Sequence, residues 1–332
     1  VMIDNKSIDS YRWPWARSLY GEVFDYLNKY TNAKVVVFDS IFTNLDKNNP
    51  PSSDNYFFDT VKNTDNFIGG YMALSDKYEN PELGSNYDEK FQRKFSIEIA
   101  DKRTKNNSRY SNYNSLTMFP DKYFDAQKNV GSVNFTLNPV DGILREATDL
   151  ISYNDNYYPS LALRAYMLSN KTNKLTLTNN YLIVDKTGLK IPTYTHNGDI
   201  RHNMKFCEFL PNSDYSHKTY SAIDLINSDR LLKSGKKPII SPSEFDNKII
   251  FVGANALAVE DVLKTTIATK HPGVDIQATI LDNFLNNQFI VKFNAFSNLV
   301  TIILISIATF LIIRFFTFLP SLLTLIGFAI LY

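Results

Sequence analysis

The sequence predicts an α/β domain with a mixed, largely parallel sheet, flanking helices and hairpin insertions, followed by transmembrane helices. Three observations support this fold class. Short apolar, β-branched runs alternate with amphipathic helical stretches, which is the pattern of β-α-β units. Asp-Gly and Pro turn signals separate pairs of shorter strand-like segments. Residues 295–313 contain no charged side chain.

The chain opens with a predicted β-α-β unit. Residues 1–4 read as the end of a buried strand, and an amphipathic helix runs from Pro14 or Ala16 to Tyr30. Residues 33–38 form a continuous apolar run that is typical of a strand covered on both faces. Because such a connection is right-handed and makes the two strands parallel, we expect Asp4 and Asp39 at adjacent strand ends on one edge of the sheet.

The rest of the soluble part continues the alternation of helices and strands. The predicted helices lie near 56–62, at 88–99 within a polar surface excursion from 75 to 114, at 158–168, near 221–227 and from Gly273 to about Asn286. The predicted single strands are 67–72, 205–210 and the buried strand 248–253. Two hairpins are predicted: 130–137 with 143–152 about the turn 138–142, and 181–184 with 190–192. We find no internal repeat, so residues 1–290 are interpreted as one domain.

The composition argues against nucleic-acid binding and is compatible with other functions. The 332 residues are 44% hydrophobic, which is enough to form a buried core. The 35 basic and 34 acidic residues nearly cancel to a net charge of +1, so no field over the whole chain favours the phosphate backbone, and we expect no nucleic-acid partner. The single cysteine, Cys207, cannot form an intramolecular disulfide.

Two uncharged segments near the C-terminal end predict membrane spans. Residues 295–313 are long enough to cross a hydrocarbon core, and residues 315–332 form a second apolar run interrupted only by Pro320. Arg314 between them favours a short cytoplasmic turn, which places residues 1–290 outside the cell. The first residues read as the middle of a strand and the last as the middle of a span, so we expect a piece of a longer protein that contacts membrane lipid.

Short motifs occur in a fixed order along the soluble part. They are Trp13-Pro14-Trp15 with Arg17, Phe38-Asp39 with Phe42, Asp141-Gly142 with Arg145, Tyr158-Pro159-Ser160-Leu161-Ala162, Val252-Gly253-Ala254 with Asp261, and Pro272-Gly273-Val274 leading to Ala278. In this order the chain resembles the CHASE type-two domain, the second class of cyclase and histidine-kinase associated sensory extracellular domains. The resemblance implies an extracytoplasmic sensor in a bacterial inner membrane, with transmembrane helices and a cytoplasmic nucleotide cyclase or kinase as output module.

Arg17, Asp4 and Asp39 are the first candidate site residues. A cation in the first turn of a helix is disfavoured by the helix dipole, so Arg17 is expected to have a carboxylate partner, for which Asp4 and Asp39 are the nearest candidates. One interpretation is an internal ion-pair network that fixes strand ends. The other is a ligand site at the carboxyl ends of the strands, where open α/β sheets bind small molecules.

Five further residues are candidates for the same site. Trp13 and Trp15 either wall it or cap the core. Asp141 and Arg145 either close a pocket from the side or belong to a turn in which the aspartate bonds its own backbone. Asp261 follows residues 253–255, whose backbone amides could face an anion.

The sequence indicates a sensor without catalysis of its own. The four histidines lack the spacing of known zinc motifs, so we expect no metal, and no cofactor motif is present. The stimulus is an unknown small molecule or protein, and the helix at 273–286 would pass its effect to the membrane. The alternative is a membrane-anchored extracytoplasmic hydrolase that uses Asp4 and Asp39 as acid and base. A third hypothesis is a homodimer that holds the output modules together.

Overall fold

The computed structural model describes residues 1–75, 87–104, 113–255, 261–291 and 295–315. The chain divides into a compact unit, Val1–Ile290, and a C-terminal unit that begins at Val291.

Helices and strands alternate in the first part of the described chain, and a run of consecutive strands follows between residues 174 and 203. The strands are β1 (Met2–Ile3), β2 (Val35–Asp39), β3 (Phe67–Tyr71), β4 (Ala73–Leu74), β5 (Glu98–Asp101), β6 (Ser115–Leu116), β7 (Val130–Ser132), β8 (Glu146–Tyr153), β9 (Asn156–Pro159), β10 (Lys174–Leu177), β11 (Tyr181–Val184), β12 (Leu189–Pro192), β13 (Tyr194–His196), β14 (Asp199–Asn203), β15 (Ile249–Ala254), β16 (Val262–Leu263) and β17 (His271–Pro272). The α-helices are α1 (Asn5–Ser10), α2 (Arg17–Tyr30), α3 (Pro51–Lys62), α4 (Tyr87–Phe95), α5 (Asp121–Ala126), α6 (Leu161–Ser169), α7 (Ala222–Lys233), α8 (Gly273–Asn286) and α9 (Ala295–Phe315), and Pro242–Phe245 is a 3₁₀ helix.

A parallel five-stranded sheet organises the first unit. Its strand order is β1-β15-β2-β3-β7, and every neighbouring pair is parallel. The mixed α/β fold with a largely parallel sheet is therefore confirmed. The expected adjacency of Asp4 and Asp39 is wrong, because β15 lies between β1 and β2. The two carboxylates share one edge of the sheet, but a β-α-β unit fixes only direction and hand, and it leaves room for a strand from far along the chain.

Two apolar cores cover the two faces of this sheet. In β2, Val36 and Phe38 join a core with residues of α2, α3 and α7, whereas Val35 and Val37 join a core with residues of α6 and α8. This alternation follows from the two-residue period of a strand, and burial on both faces explains the unbroken apolar run in the sequence. The first core is rich in aromatic rings that meet edge to face, with Phe57 near its centre.

Two smaller sheets carry the hairpin insertions. One has the order β12-β11-β10-β5 and the other β13-β14-β8-β9. The predicted hairpin of 181–184 with 190–192 is confirmed, with Val184 opposite Leu189. The predicted hairpin of 130–137 with 143–152 is wrong, because β7 joins the parallel sheet and β8 joins an antiparallel one. Its turn signal is correct, since Gly142 has a φ of +67° and its N–H bonds the carbonyl of Asn138.

Several predicted bounds also change. Helix α3 begins at Pro51 and α7 extends to Lys233, so both are longer than predicted, while the helix expected at 88–99 ends at Phe95. Residues 205–210 do not form a strand. The backbone N–H and carbonyl of Lys205 instead bond the side-chain amide of Asn283 on α8, at 2.9 and 2.8 Å.

The second unit contains helix α9, which covers the first predicted span. Among the described residues, Phe296–Arg314 is the one helix that is long and apolar enough to cross a membrane, with a mean hydropathy of 2.4 over its most apolar stretch and none of that stretch buried. Residues 316–332 of the second predicted span lie outside the described residues.

Candidate functional site

The candidate site lies at the carboxyl edge of the parallel sheet, beside the start of α8. Asp39 is the last residue of β2, and Asn255 follows the last residue of β15. By the strand period, the Asp39 side chain lies on the same face as Val35 and Val37, which is the face that α6 and α8 cover. The side-chain amide of Asn255 donates to the Tyr215 hydroxyl at 2.6 Å.

Asp39 is an unusual carboxyl group because it is buried and poorly hydrogen-bonded. Its residue is 9% exposed, and its Oδ2 atom has no hydrogen-bond partner. Burial raises the pKa of Asp39 from 3.8 to about 8, and the negative charge of Asp261 adds to the shift. At neutral pH the Asp39 carboxyl is therefore mostly protonated, and it can donate a hydrogen bond as well as accept one.

Asp261 joins this edge to the start of α8. Its carbonyl accepts a hydrogen bond from the Gly273 N–H at 3.1 Å. A Cβ atom at Gly273 would lie 3.0 Å from Oδ1 of Asp261, so the Asp261 carboxyl group packs closely against the backbone of Gly273. Loss of hydration raises the pKa of Asp261 as well. The carboxylate is favourably placed at the N-terminal end of a helix, where the dipole stabilises negative charge.

Helix α8 also packs directly on β15. A Cβ atom at Gly253 would lie 2.8 Å from Cβ of Val274, so the Val274 side chain packs directly against the strand backbone at Gly253. The end of β15 and the start of α8 are therefore in direct van der Waals contact.

The structure gives Asp4 a capping role. Its Oδ1 atom accepts hydrogen bonds from the Ser7 N–H at 2.9 Å, the Ser7 hydroxyl at 2.7 Å and the Ser221 hydroxyl at 2.8 Å. Asp4 therefore caps α1 and ties it to the residue that precedes α7.

Arg17 has a carboxylate partner, but the partner is neither Asp4 nor Asp39. Its Nε atom lies 3.9 Å from Oδ1 of Asp54, and its guanidinium lies 3.2 Å from the centre of the Phe42 ring. Burial lowers the pKa of Arg17. The expected pairing was wrong because α2 covers the face of the sheet opposite to Asp39, where α3 supplies Asp54. The geometry matches a structural ion pair with a cation–π contact.

The two tryptophans pack into the first core. Trp15 is 1% exposed, its indole N–H donates to the carbonyl of Tyr11 at 3.1 Å, and its ring meets Tyr20 edge to face. Trp13 is partly buried against the same core. This arrangement favours the core interpretation over a site wall.

Asp141 and Arg145 form an exposed pair at the turn. Two hydrogen bonds of 2.9 and 2.7 Å join the guanidinium to the carboxylate, and Asp141 also accepts from the Ile143 N–H. The hydrogen bonds from Arg145 lower the pKa of Asp141 to about 2. The turn interpretation accounts for these contacts.

Sequence reasoning missed a buried cluster centred on Asp275, in the first turn of α8. The Asp275 carboxylate accepts from the Ser216 N–H and contacts ring nitrogens of His217 and His271, each at 2.9 Å. The other ring nitrogen of the fully buried His271 lies 3.2 Å from the Thr265 hydroxyl. Burial alone would raise the pKa of Asp275, but the hydrogen bonds from both histidines and from Ser216 lower it. The four-residue spacing of His271 and Asp275 was the available signal.

Within the described ranges, no group of three His, Cys, Asp or Glu side chains is placed to hold a metal ion. The cluster around Asp275 instead anchors residues 216–217 to the start of α8.

The first unit is thus an α/β domain with a carboxylate-lined sheet edge beside α8, and an apolar helix follows it along the chain. The family model of the CHASE2 domain matches residues 1–312, and the chain belongs to the CHASE2 family. CHASE2 domains are extracellular sensory domains and parts of membrane receptors. No curated protein and no solved structure matches the chain.

Proposed function

We propose that residues 1–290 sense a stimulus outside a bacterial cell and pass it through membrane helices to a cytoplasmic nucleotide cyclase or kinase of the longer protein. The domain is anchored in the inner membrane by α9 and the apolar residues after it. Membership of the CHASE2 family and the apolar character of α9 support this proposal.

One observation carries the proposed coupling: α8 starts at the carboxylate-lined edge of the sheet, and eight residues lie between its end and the start of α9. A ligand that binds at Asp39 and Asp261 more tightly in one position of α8 than in the other would shift the balance between the two positions. A ligand with equal affinity for both positions of α8 would leave the balance between them unchanged. The buried, mostly neutral Asp39 favours an uncharged ligand that can accept a hydrogen bond from the carboxyl proton and donate one to the carboxyl oxygen.

A flexible insertion tests whether the connection transmits the signal. We expect a Gly-Ser insertion near Lys292 in the full-length receptor to abolish stimulus-dependent output, because a flexible segment cannot pass on a helix displacement. The matched control is the same insertion in the exposed turn at 186–188, between β11 and β12, which should leave the response intact. An unchanged response with the insertion near Lys292 would rule out coupling through this connection.

A topology reporter tests the proposed location. The reporter is fused near Asn212, which lies in an exposed turn. We expect its signal to place this turn outside the cytoplasm. Cytoplasmic activity would contradict the receptor proposal.

Two other proposals have less structural support. The hydrolase needs Asp4 and Asp39 as a working pair, but β15 separates their strands and Asp4 already accepts three hydrogen bonds. The homodimer is addressed by the concentration dependence of sedimentation of residues 1–290.

A further inference from the structure

The ion pair of Arg17 and Asp54 contains a gap. Its two residues lie at the starts of α2 and α3, which are joined by a 2.9 Å hydrogen bond from the Ser18 N–H to the Ser53 hydroxyl. The Arg17 Nε atom is 3.9 Å from the Asp54 Oδ1 atom, beyond the limit of about 3.2 Å for an N–H···O hydrogen bond. Both atoms are buried, and neither has a hydrogen-bond partner among the described residues.

Neighbouring groups hold both side chains in place. The Arg17 guanidinium lies 3.2 Å from the centre of the Phe42 ring. The other carboxylate oxygen of Asp54, Oδ2, accepts a hydrogen bond from the Asp46 N–H at 3.0 Å. The Asp54 side chain is 5% exposed and the Arg17 side chain 18%. A buried donor and a buried acceptor are therefore fixed on the two sides of the gap.

The Tyr123 hydroxyl is a third buried polar atom in this cluster. Tyr123 lies on α5, is fully buried, and its hydroxyl has no hydrogen-bond partner within the described ranges. Its ring stacks on Phe58 at 5.3 Å and lies 6.2 Å from Phe42, the ring that Arg17 covers. Burial raises the pKa of Tyr123 and the positive charge of Arg17 opposes this effect, so the phenol and the guanidinium are close enough to interact.

The chemistry of these groups decides which ligand fits the gap. The Arg17 Nε–H can only donate and the Asp54 carboxylate can only accept. An anion would be repelled by Asp54 and by Asp46, which also acts on the guanidinium, and a cation would be repelled by Arg17. A hydroxyl oxygen accepts and donates, and one oxygen about 2.8 Å from both atoms spans a separation of about 4 Å.

We propose that Arg17, Asp54 and Tyr123 form a binding site for one hydroxyl group, supplied by a water molecule or by a small polyol. Its oxygen accepts a hydrogen bond from the Arg17 Nε–H and donates one to Asp54 Oδ1, and the Tyr123 hydroxyl is its third partner. The site lies at the carboxyl edge of the parallel sheet, because α2 and α3 each run back from this edge to the next strand. It is on the face opposite to Asp39 and does not depend on the proposed receptor function.

Contact with water at Arg17 tests the site. The whole chain, in detergent micelles and isotope-labelled in arginine, is studied by NOE and ROE spectroscopy, and Arg17→Lys identifies the Arg17 Nε–H signal by its loss. We expect a water cross-peak whose NOE and ROE have opposite signs, which separates a bound water from proton exchange. The reference in the same spectrum is Arg103, whose side chain is 5% exposed and whose Nε–H donates directly to Asp101 at 2.9 Å. We expect no bound water there.

Added glycerol distinguishes the two sources of the hydroxyl group. If cross-peaks to glycerol C–H protons replace the water cross-peak at Arg17, a polyol hydroxyl occupies the site, and if the water cross-peak persists, water does. Two results would overturn the proposal. One is an Arg17 signal that, like that of Arg103, contacts neither water nor glycerol, which would mean that Arg17 bonds Asp54 directly. The other is a shift of the Arg17 signal on addition of inorganic phosphate at constant pH, which would indicate an anion site.

The sign of the stability change in Tyr123→Phe tests the third contact. If the hydroxyl bonds the bridging oxygen, its removal should lower the urea midpoint. The matched reference is Tyr26→Phe, which removes a hydroxyl that donates to the Ile240 carbonyl at 2.6 Å and should lower the midpoint as well. Removal of a buried hydroxyl without a partner leaves the midpoint unchanged or raises it. That result for Tyr123→Phe would overturn the three-contact site.

Discussion

Replacement of Asp39 by Asn tests whether this carboxyl is neutral in the folded domain. The pKa of Asp39 is about 8 in the folded state, against the ordinary value of 3.8 in the unfolded chain. At a pH between these two pKa values the unfolded chain has released a proton that the folded domain retains, so the free energy of unfolding falls as the pH rises. It falls by about 1.4 kcal/mol per pH unit. Asn does not titrate, so the stability of Asp39→Asn relative to the parent should rise by about 2.7 kcal/mol between pH 5 and pH 7.

Urea unfolding followed by tryptophan fluorescence measures this difference, because both tryptophans lie in the first unit and Trp15 is buried. The matched control is Asp141→Asn. Asp141 has a pKa of about 2 when folded, so it is ionised in both states above pH 5 and its variant should differ from the parent by a constant amount. If the Asp39→Asn difference is the same at pH 5 and pH 7, Asp39 is ionised in the folded domain and the argument from its burial fails.

Three further substitutions test the packing. In Gly131→Ala the new Cβ would lie 2.6 Å from backbone of α6, so urea unfolding should show a loss of about 1–3 kcal/mol, and an unchanged midpoint would mean that β7 and α6 are not in close contact. Asp275→Asn leaves His217 and His271 without their shared carboxylate and should cost about 3 kcal/mol at pH 7. Because the folded pKa of Asp275 is lowered, this cost should shrink as the pH falls below 4 in acid titrations, and a cost independent of pH would contradict the pairing. Phe57→Ala should lose about 3–5 kcal/mol and lower the thermal midpoint, whereas a loss below about 1 kcal/mol would show that the ring is not central to the aromatic core.

Local patterns were sufficient to predict much of the fold. Helices α2 and α8 and the hairpin of β11 and β12 were predicted within a few residues, because their periodicity and turn signals are contained in short stretches of sequence. The insertion of β15 between β1 and β2 was not predicted. Its partners lie more than 200 residues away along the chain, and local periodicity carries no information on which distant strands pair.

The candidate site was predicted only in part. Asp39 and Asp261 were each identified from their position after a strand, and the structure places both near the start of α8. The partner of Arg17 was missed because it depends on which helix covers the other face of the sheet. The histidine contacts of Asp275 were missed because His217 reaches it from a loop 58 residues earlier in the chain.

Electrostatics alone is too weak to switch α8. A charged group at a helix N-terminus changes the stability of the helix by about 0.3–1 kcal/mol when the group is exposed and by at most about 2 kcal/mol when it is partly buried. Moving a two-state equilibrium from 1:99 to 99:1 needs about 5.5 kcal/mol of differential binding. Protonation of Asp39 or Asp261 therefore biases α8 but does not complete a switch. Under the proposed function, the remaining energy has to come from contacts that a ligand makes with the sheet edge and with the first turn of α8. The direct packing of Gly253 on Val274 makes such contacts possible, because the strand end and the helix are within reach of one small molecule.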